Sequence, residues 1–221
     1  MKYKGEDYFI VDICGTIYRS NTTLDFIRYF WGRKIYVRIL LSFPFRLFSR
    51  VICNLIHIEP LRLGLIMVLK GIPREQLLRM SEEFYNDFLK DRINKEVLSI
   101  IEKKREQGYQ LILLSATLDV IAEVVSKKTN ISQWLSSELA YSQNMRCLGK
   151  LKHDLLPNKY ATLNKKLMAE SFGGIITDNY TDAQLIEVSH KPFLVCYASS
   201  ENRWKKILSK ETIERCKFIK V

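Results

Sequence analysis

Little in this sequence marks disorder, extracellular stapling or repetition. Nine glycines and five prolines in 221 residues leave no low-complexity window and no internal repeat, so a folded chain is expected and not a tether or a solenoid. The five cysteines (Cys14, Cys53, Cys147, Cys196, Cys216) are odd in number, irregularly spaced and never arranged as CxxC, and the first residues lack the basic-then-apolar layout of a secretory signal. Both absences point to a reduced, cytoplasmic protein. Within residues 31–70, the most apolar region, the longest uncharged runs are 39–45, 51–58 and 63–69. None approaches the roughly 18 residues of a membrane-spanning helix.

What is present is a 47% hydrophobic composition and a formal charge of +11. The length suits one core domain carrying an insertion better than two independent domains. The charge calls for an anionic partner: a nucleic acid, a membrane surface or a phosphorylated substrate.

Short apolar runs at 8–13 (YFIVDI), 109–115 (YQLILLS), 173–178 (GGIITD) and 193–198 (FLVCYA) read as buried strands. Helical patterns separate them, at about 94–107, at about 159–170 and from Asp182 onward. Such alternation predicts an α/β fold with a mostly parallel central sheet and helices on both faces. Ligands bind at the carboxyl ends of the strands in such sheets, and those ends carry Asp12, Ser115 and Asp178.

About ninety residues lie between the first two strands, far more than one crossover needs, so a helical unit is expected there. We divide the chain into a core of residues 1–20 and 92–221 and a helical cap of 21–91. The later half of the cap, 73–91, has a helical period and balanced charges. Residues 31–70 differ, with seven Lys or Arg against the single acid Glu59, a local charge of +6 set among Leu, Ile and Phe. Two readings of this segment stay open. Its helices lie on the inner face of a membrane among anionic headgroups, or they pack on the core with arginine stems covering their rims. Nucleic acid is the weaker choice, because the basic residues are interleaved with large aliphatics and not with the polar residues and glycines of a backbone-tracking surface. No feature asks for an obligate protein partner.

Taken singly, each strand-end residue is weak evidence, since a carboxylate after a strand often caps a turn. Together, "DICGT" (12–16), "LLSAT" (113–117), the lysine of "PNKYATL" (Lys159) and "TDNYTD" (177–182) occur in the order and spacing of the four motifs of the haloacid dehalogenase superfamily. The chain most resembles the subgroup that includes phosphoserine phosphatases and phosphatidylglycerophosphate phosphatases. The likeness extends through "KGIPREQLLRMSEEFYNDFL", "GYQLILLSATLDVIAEVV", "CLGKL" and "KPFLVCYASSENRWKKI", sparing residues 31–68.

This resemblance implies a Rossmann-like core with a cap after the first strand, Mg²⁺ as cofactor, and attack of an aspartate on phosphorus to give an aspartyl-phosphate that water cleaves. It makes Asp12 the nucleophile and a metal ligand, Asp178 a second ligand, and the backbone carbonyl of Cys14 a third, a hard-oxygen set that suits Mg²⁺. It places Gly15, Thr16, Ser115, Ala116 and Lys159 around the phosphoryl group, with Ser115 donating its hydroxyl and Lys159 neutralising charge. Asp182 would orient Lys159 or a metal-bound water. Thr16 and Asn179 either support this ring or hydrogen-bond their own turns. Lys159 is preferred to Lys150, Lys152, Lys165 and Lys166 because it follows the Pro157-Asn158 turn, 19 residues before Asp178.

The departure is Cys14, standing where most phosphatases of this family have a second aspartate that protonates the leaving group. A thiol with a pKa of about 8.5, raised further by neighbouring carboxylates, is a poor acid near neutrality. General acid–base help is typically worth about 10²–10⁴-fold. Three readings follow: a phosphatase whose leaving group needs no proton, such as a diphosphate; a phosphotransferase or switch whose aspartyl-phosphate persists; or a retired phosphate-binding module. The basic, apolar cap suits a lipid phosphate or polyprenyl diphosphate, and a soluble sugar phosphate or other metabolite is the rival. Phosphoserine is disfavoured, because the cap lacks a clear match to the residues that phosphoserine phosphatases use.

Overall fold

The computed structural model describes residues 5–56, 59–197 and 200–221. Strand β1 (Tyr8–Val11) leads into helices α1 (Thr22–Trp31), α2 (Ile35–Leu40), α3 (Phe43–Ile56), α4 (Pro60–Ile66), α5 (Arg74–Phe84) and α6 (Lys95–Glu106). Then come β2 (Gln110–Leu118), α7 (Asp119–Thr129), β3 (Gln133–Tyr141), β4 (Cys147–His153), α8 (Lys159–Leu167), β5 (Gly174–Thr177), α9 (Ala183–Glu187), β6 (Pro192–Cys196), α10 (Ser200–Ile207), α11 (Lys210–Arg215) and β7 (Lys217–Lys220).

The seven strands form one sheet in the order β4-β3-β2-β1-β5-β6-β7. All neighbours run parallel except β4, which is antiparallel to β3. Ile10 lies between Ile112 of β2 and Ile175 of β5. Successive side chains of a strand point to opposite faces. Phe9 and Val11 therefore enter the core on one side, shared with the helical insert, α6 and α7, while Ile10 enters the other beside Leu163, Leu185 and Trp204. With both faces covered, β1 has no use for alternation, which is why it reads as a continuous apolar run.

Four strands are expected and seven are found among the described residues. The hairpin β3–β4 was missed because "QWLSSELAY" and "CLGKLKH" mix polar with apolar residues, as a partly exposed antiparallel edge allows. Strand β7 (KFIK) has only two apolar residues between lysines and so leaves no apolar run. Strand β2 does not end at Ser115 but continues to Leu118, its pairing with β3 shifting register between those residues. The helix expected to reach 170 stops at Leu167, where Met168 adopts a left-handed backbone (φ 49°).

The segment 31–70 resolves along its helices. Val37, Leu65, Ile66 and Leu69 are buried in the same core as Phe9 and Val11, while other faces of α2, α3 and α4 stay open. Among the described residues no helix is long and apolar enough to cross a membrane.

Candidate active site

The chain moves outward from β1 in one direction through β2 and β3 and in the other through β5 and β6, so a crevice opens at the carboxyl ends of β1 and β5. Asp12 and Asp178 stand there, one residue past each strand. Asp12 is buried, and its Oδ1 accepts the Ile13 amide at 2.9 Å. Gly15 then turns the chain with φ +66°, and a Cβ at that position would lie 2.0 Å from Asp178 Oδ2. Only glycine permits this approach of the two loops. Thr16 fixes it from the other side, accepting the Asp178 amide at 3.0 Å and donating to Asp178 Oδ1 at 3.3 Å.

Lys159, the first residue of α8, reaches under the crevice and is buried. Its Nζ lies 3.3 Å from Asp12 Oδ1 and 2.9 Å from Asp182 Oδ2. Thr177 also donates to Asp182 Oδ2, at 2.7 Å. Asn179 stays with its turn, its Oδ1 accepting the Thr181 amide at 3.1 Å and its own amide bonding Thr177 Oγ1 at 3.0 Å. Lys150, Lys152, Lys165 and Lys166 make no contact with Asp12 or Asp182 among the described residues.

The charges do not balance. Three carboxylates, Asp12, Asp178 and Asp182, share one lysine. Burial raises the Asp12 pKa, with Lys159 opposing. Burial and then the charge of Asp12 push Asp178 to about 7, against the pull of Thr16 and Lys159. Burial alone would lower Lys159, but Asp12 and Asp182 outweigh it and hold the ammonium above the usual lysine range. Asp182 Oδ1 is buried without a hydrogen-bond partner. So much uncompensated negative charge in one buried cluster is the environment that a small divalent cation relieves.

Among the described residues no three His, Cys, Asp or Glu side chains form a cage for a metal. The available donors are two carboxylates and nearby backbone carbonyls, all hard oxygens, and that fits Mg²⁺, which keeps several waters and takes few protein ligands.

Cys14 faces the same space. Its Sγ is 2.8 Å from Thr22 Oγ1, which is 2.6 Å from Thr117 Oγ1, and Ser115 Oγ approaches the sulfur at 3.7 Å. Burial first and then Asp12 raise the thiol's pKa, so it stays protonated. Ser115 also sits against the Asp12 carboxylate and lowers its pKa.

Over these groups lies a cavity of about 930 Å³, floored by Asp12, Cys14, Gly15, Ser115, Lys159 and Asp178. Ala116 lines it as well, while Arg46 and Ser49 of α3 and Leu61, Arg62 and Leu65 of α4 face in from the insert. Sequence reasoning missed three residues here. Arg62 clamps insert to core, bonding Asp154 at 2.6 and 2.8 Å, the Ala116 carbonyl at 2.7 Å and Ser137 Oγ at 2.8 Å. Thr22 holds the thiol. Tyr197, the first residue after β6, donates to the Gly15 carbonyl at 2.7 Å, and the strand-end rule that found Asp12 would have found it.

Residues 9–183 match the family of haloacid dehalogenase-like hydrolases. No curated protein matches the chain. A protein of unknown function from Bordetella pertussis Tohama I has 14% identity and a TM-score of 0.69, over 96% of this chain and 97% of that one. A hydrolase of the same family from Salmonella enterica serovar Typhi has 13% identity and a TM-score of 0.65, over 98% and 68%. A phosphoserine phosphatase, in a form described as a phospho-aspartyl intermediate analogue, has 13% identity and a TM-score of 0.61, over 98% and 93%. At such identities these likenesses are of fold.

Proposed function

We propose, since this chain belongs to the haloacid dehalogenase-like hydrolase family, that it is a Mg²⁺-dependent phosphohydrolase working through an aspartyl-phosphate on Asp12. The observation that carries the proposal is the buried Asp12–Lys159–Asp182 chain, with links of 3.3 and 2.9 Å, on the floor of the large cavity. A carboxylate must approach a phosphate dianion, and Lys159 neutralises part of the resulting charge. Asp12 Oδ1 is held by the Ile13 amide and Lys159, so Oδ2 is the attacking oxygen.

In the first step Oδ2 bonds to phosphorus, the bond from phosphorus to the leaving oxygen breaks, and the leaving group departs with the electron pair. In the second, water attacks that phosphorus, inorganic phosphate is released and the carboxylate is restored, the water's proton passing to solvent. Asp12, Asp178 and the Cys14 carbonyl would hold Mg²⁺. When bound, the ion offsets the negative charge gathered between carboxylate and phosphoryl group. Ser115 supplies a hydroxyl to the phosphoryl oxygens, Gly15, Thr16 and Ala116 shape the loops around it, and Asp182 orients Lys159. The helical insert of residues 21–91 acts as the cap that closes the cavity.

Cys14 sets the preference among substrates. A thiol raised by burial and by Asp12 gives no useful proton to an alkoxide. Leaving groups of low basicity are therefore favoured, as in diphosphates and acyl phosphates, including those carried on lipids. The same lack of a base slows the second step, so the phosphoenzyme accumulates. A retired binding module would have no reason to keep Lys159 buried between two acids. Acid-quenched native protein incubated with Mg²⁺ and acetyl phosphate should gain the mass of one phosphoryl group, and Asp12→Asn should gain none and turn over nothing. Phosphate release by Asp12→Asn equal to native would overturn the reading.

A further inference from the structure

Nine of the fifteen exposed large hydrophobic side chains among the described residues fall between Ile35 and Met67. On α3, Phe43, Leu47 and Val51 recur every fourth residue with Phe48 beside them, all exposed, Phe43 by 78%. The opposite side of α3 carries Arg46 and Ser49, which line the catalytic cavity. Helix α2 exposes Ile35, Tyr36 and Ile39 and buries Val37, while α4 exposes Leu63 and turns Leu61, Arg62 and Leu65 to the cavity, and Met67, the residue after it, is 65% exposed. Between α2 and α4 runs a groove of about 490 Å³ lined by Tyr36, Ile39, Leu40, Gly64, Met67 and Val68, without a charged side chain. An apolar exposure of this extent marks an interaction surface.

The charge beside it says what covers it. Arg33, Lys34 and Arg38 are exposed around α2, and no ion pair engages them among the described residues. Residues 31–58 contain no acid at all. A second copy of this chain would bring the same positive rim against itself. A surface of anionic headgroups over acyl chains complements both features at once, with aliphatic and aromatic side chains entering the acyl boundary and the cations remaining at headgroup level.

We propose that the outward faces of α2, α3 and α4 dock flat on an anionic phospholipid bilayer. The cavity then lies directly beneath the docked helices, one helix thickness of about 10 Å from the lipid. Docking itself stands apart from the chemistry. It rests on the phosphohydrolase reading only in its consequence, that a phosphate or diphosphate carried on an apolar chain is the class of substrate delivered there, its chain in the groove between α2 and α4.

The test is flotation of the full chain with vesicles of phosphatidylcholine alone and of equimolar phosphatidylcholine and phosphatidylglycerol, at low and high salt. Native protein should float with the anionic vesicles at low salt and be released by high salt. Arg33→Gln with Arg38→Gln should weaken partition about tenfold or more. Phe43→Gln with Leu47→Gln should weaken it at least about tenfold. Both pairs are exposed, so their circular dichroism and melting temperature should match native, as should phosphoenzyme formation from water-soluble acetyl phosphate. Absence of flotation at low salt overturns the proposal. So does equal, salt-independent flotation with neutral vesicles, and so does a native dimer that Phe43→Gln with Leu47→Gln dissociates while neither protein binds lipid. Because binding is read without turnover, failure here and failure of the phosphohydrolase reading are separate results.

Discussion

Asp178 gives the sharpest test of the site's electrostatics, because its effect on stability changes sign with metal. Its carboxyl titrates at 3.8 when unperturbed and at about 7 in the folded protein, where burial and the charge of Asp12 oppose ionisation. Between those values the folded state keeps a proton that the unfolded chain has released, so stability falls as pH rises through this window. Above it the full cost is present. A shift of about three units corresponds to about 4 kcal/mol; since Asp12 shares the repulsion, Asp178→Asn should recover about 2–4 kcal/mol of it. Asn keeps an oxygen for the Thr16 hydroxyl, so little else is lost. In a chain of this size each kcal/mol moves the melting temperature by about 2–4 °C. In chelator at pH 8, Asp178→Asn should therefore melt about 4–16 °C above native protein, and at pH 5 most of the difference should vanish. Saturating Mg²⁺ should reverse the order at pH 8, because native protein gains a bound cation and the variant loses a ligand. A variant no more stable than native at pH 8 in chelator would refute the account of a site strained by uncompensated carboxylates.

Cys14→Asp should raise steady-state hydrolysis of alkyl phosphates about 10-fold or more at saturating Mg²⁺, with a smaller gain on diphosphates that comes only from faster cleavage of the shared phosphoenzyme; no gain on any leaving group would show that the thiol is not a missing acid. The same change should shorten the lifetime of the phosphoenzyme after acid quench. Arg62→Met should destabilise the protein by about 2–4 kcal/mol in urea unfolding, because the Nη1 bonds to both Asp154 oxygens and the Nη2 bonds to Ala116 and Ser137 go together. Burial raises the Asp154 pKa, but the Arg62 and Leu156 bonds more than offset it and hold the carboxyl below its ordinary range. The Arg62 contribution should accordingly be present at neutral pH and be lost as acid takes the pH down through the folded value; a loss independent of pH would point to packing instead of the ion pair.

The parts of the fold that were legible are those where one physical cause dominates the residue choice. β1, β2, β5 and β6 are covered on both faces, and continuous burial writes an apolar run. β3 and β4 answer to an exposed edge and a hairpin, and their mixed composition hides them. The Asp12, Ser115, Lys159, Asp178 and Asp182 cluster was readable because Asp12 and Asp178 lie just past strand ends, Lys159 and Asp182 lie at the starts of helices, and Ser115 closes the apolar run of β2 although the strand itself continues. Arg62 was not. Its partner Asp154 lies 92 residues away, and in the sequence it is one more cation among Leu and Ile. The two readings of residues 31–70 could not be separated by composition because the segment turns one side to the core and leaves the other exposed, Leu65 inward and Met67 outward within a single turn.

The cysteine at position 14 makes sense as a shift in which barrier the site lowers. A fourth carboxylate there would join three that one lysine already fails to balance, and would raise the pKa of Asp12 and Asp178 further in the absence of metal. The thiol removes that burden and leaves Thr22, Thr117 and Ser115 joined around a neutral group. In the proposed mechanism the site forgoes proton transfer from position 14 and retains the charge stabilisation of phosphoryl transfer by Lys159 and the donors around Asp12. Chemistry that depends on the second and not the first is transfer from a leaving group that is stable as an anion. On the proposed phosphohydrolase reading, the large cavity, walled by residues of α3 and α4, admits such a group bearing a bulky chain, and specificity follows from the leaving group's basicity and not from a proton donor.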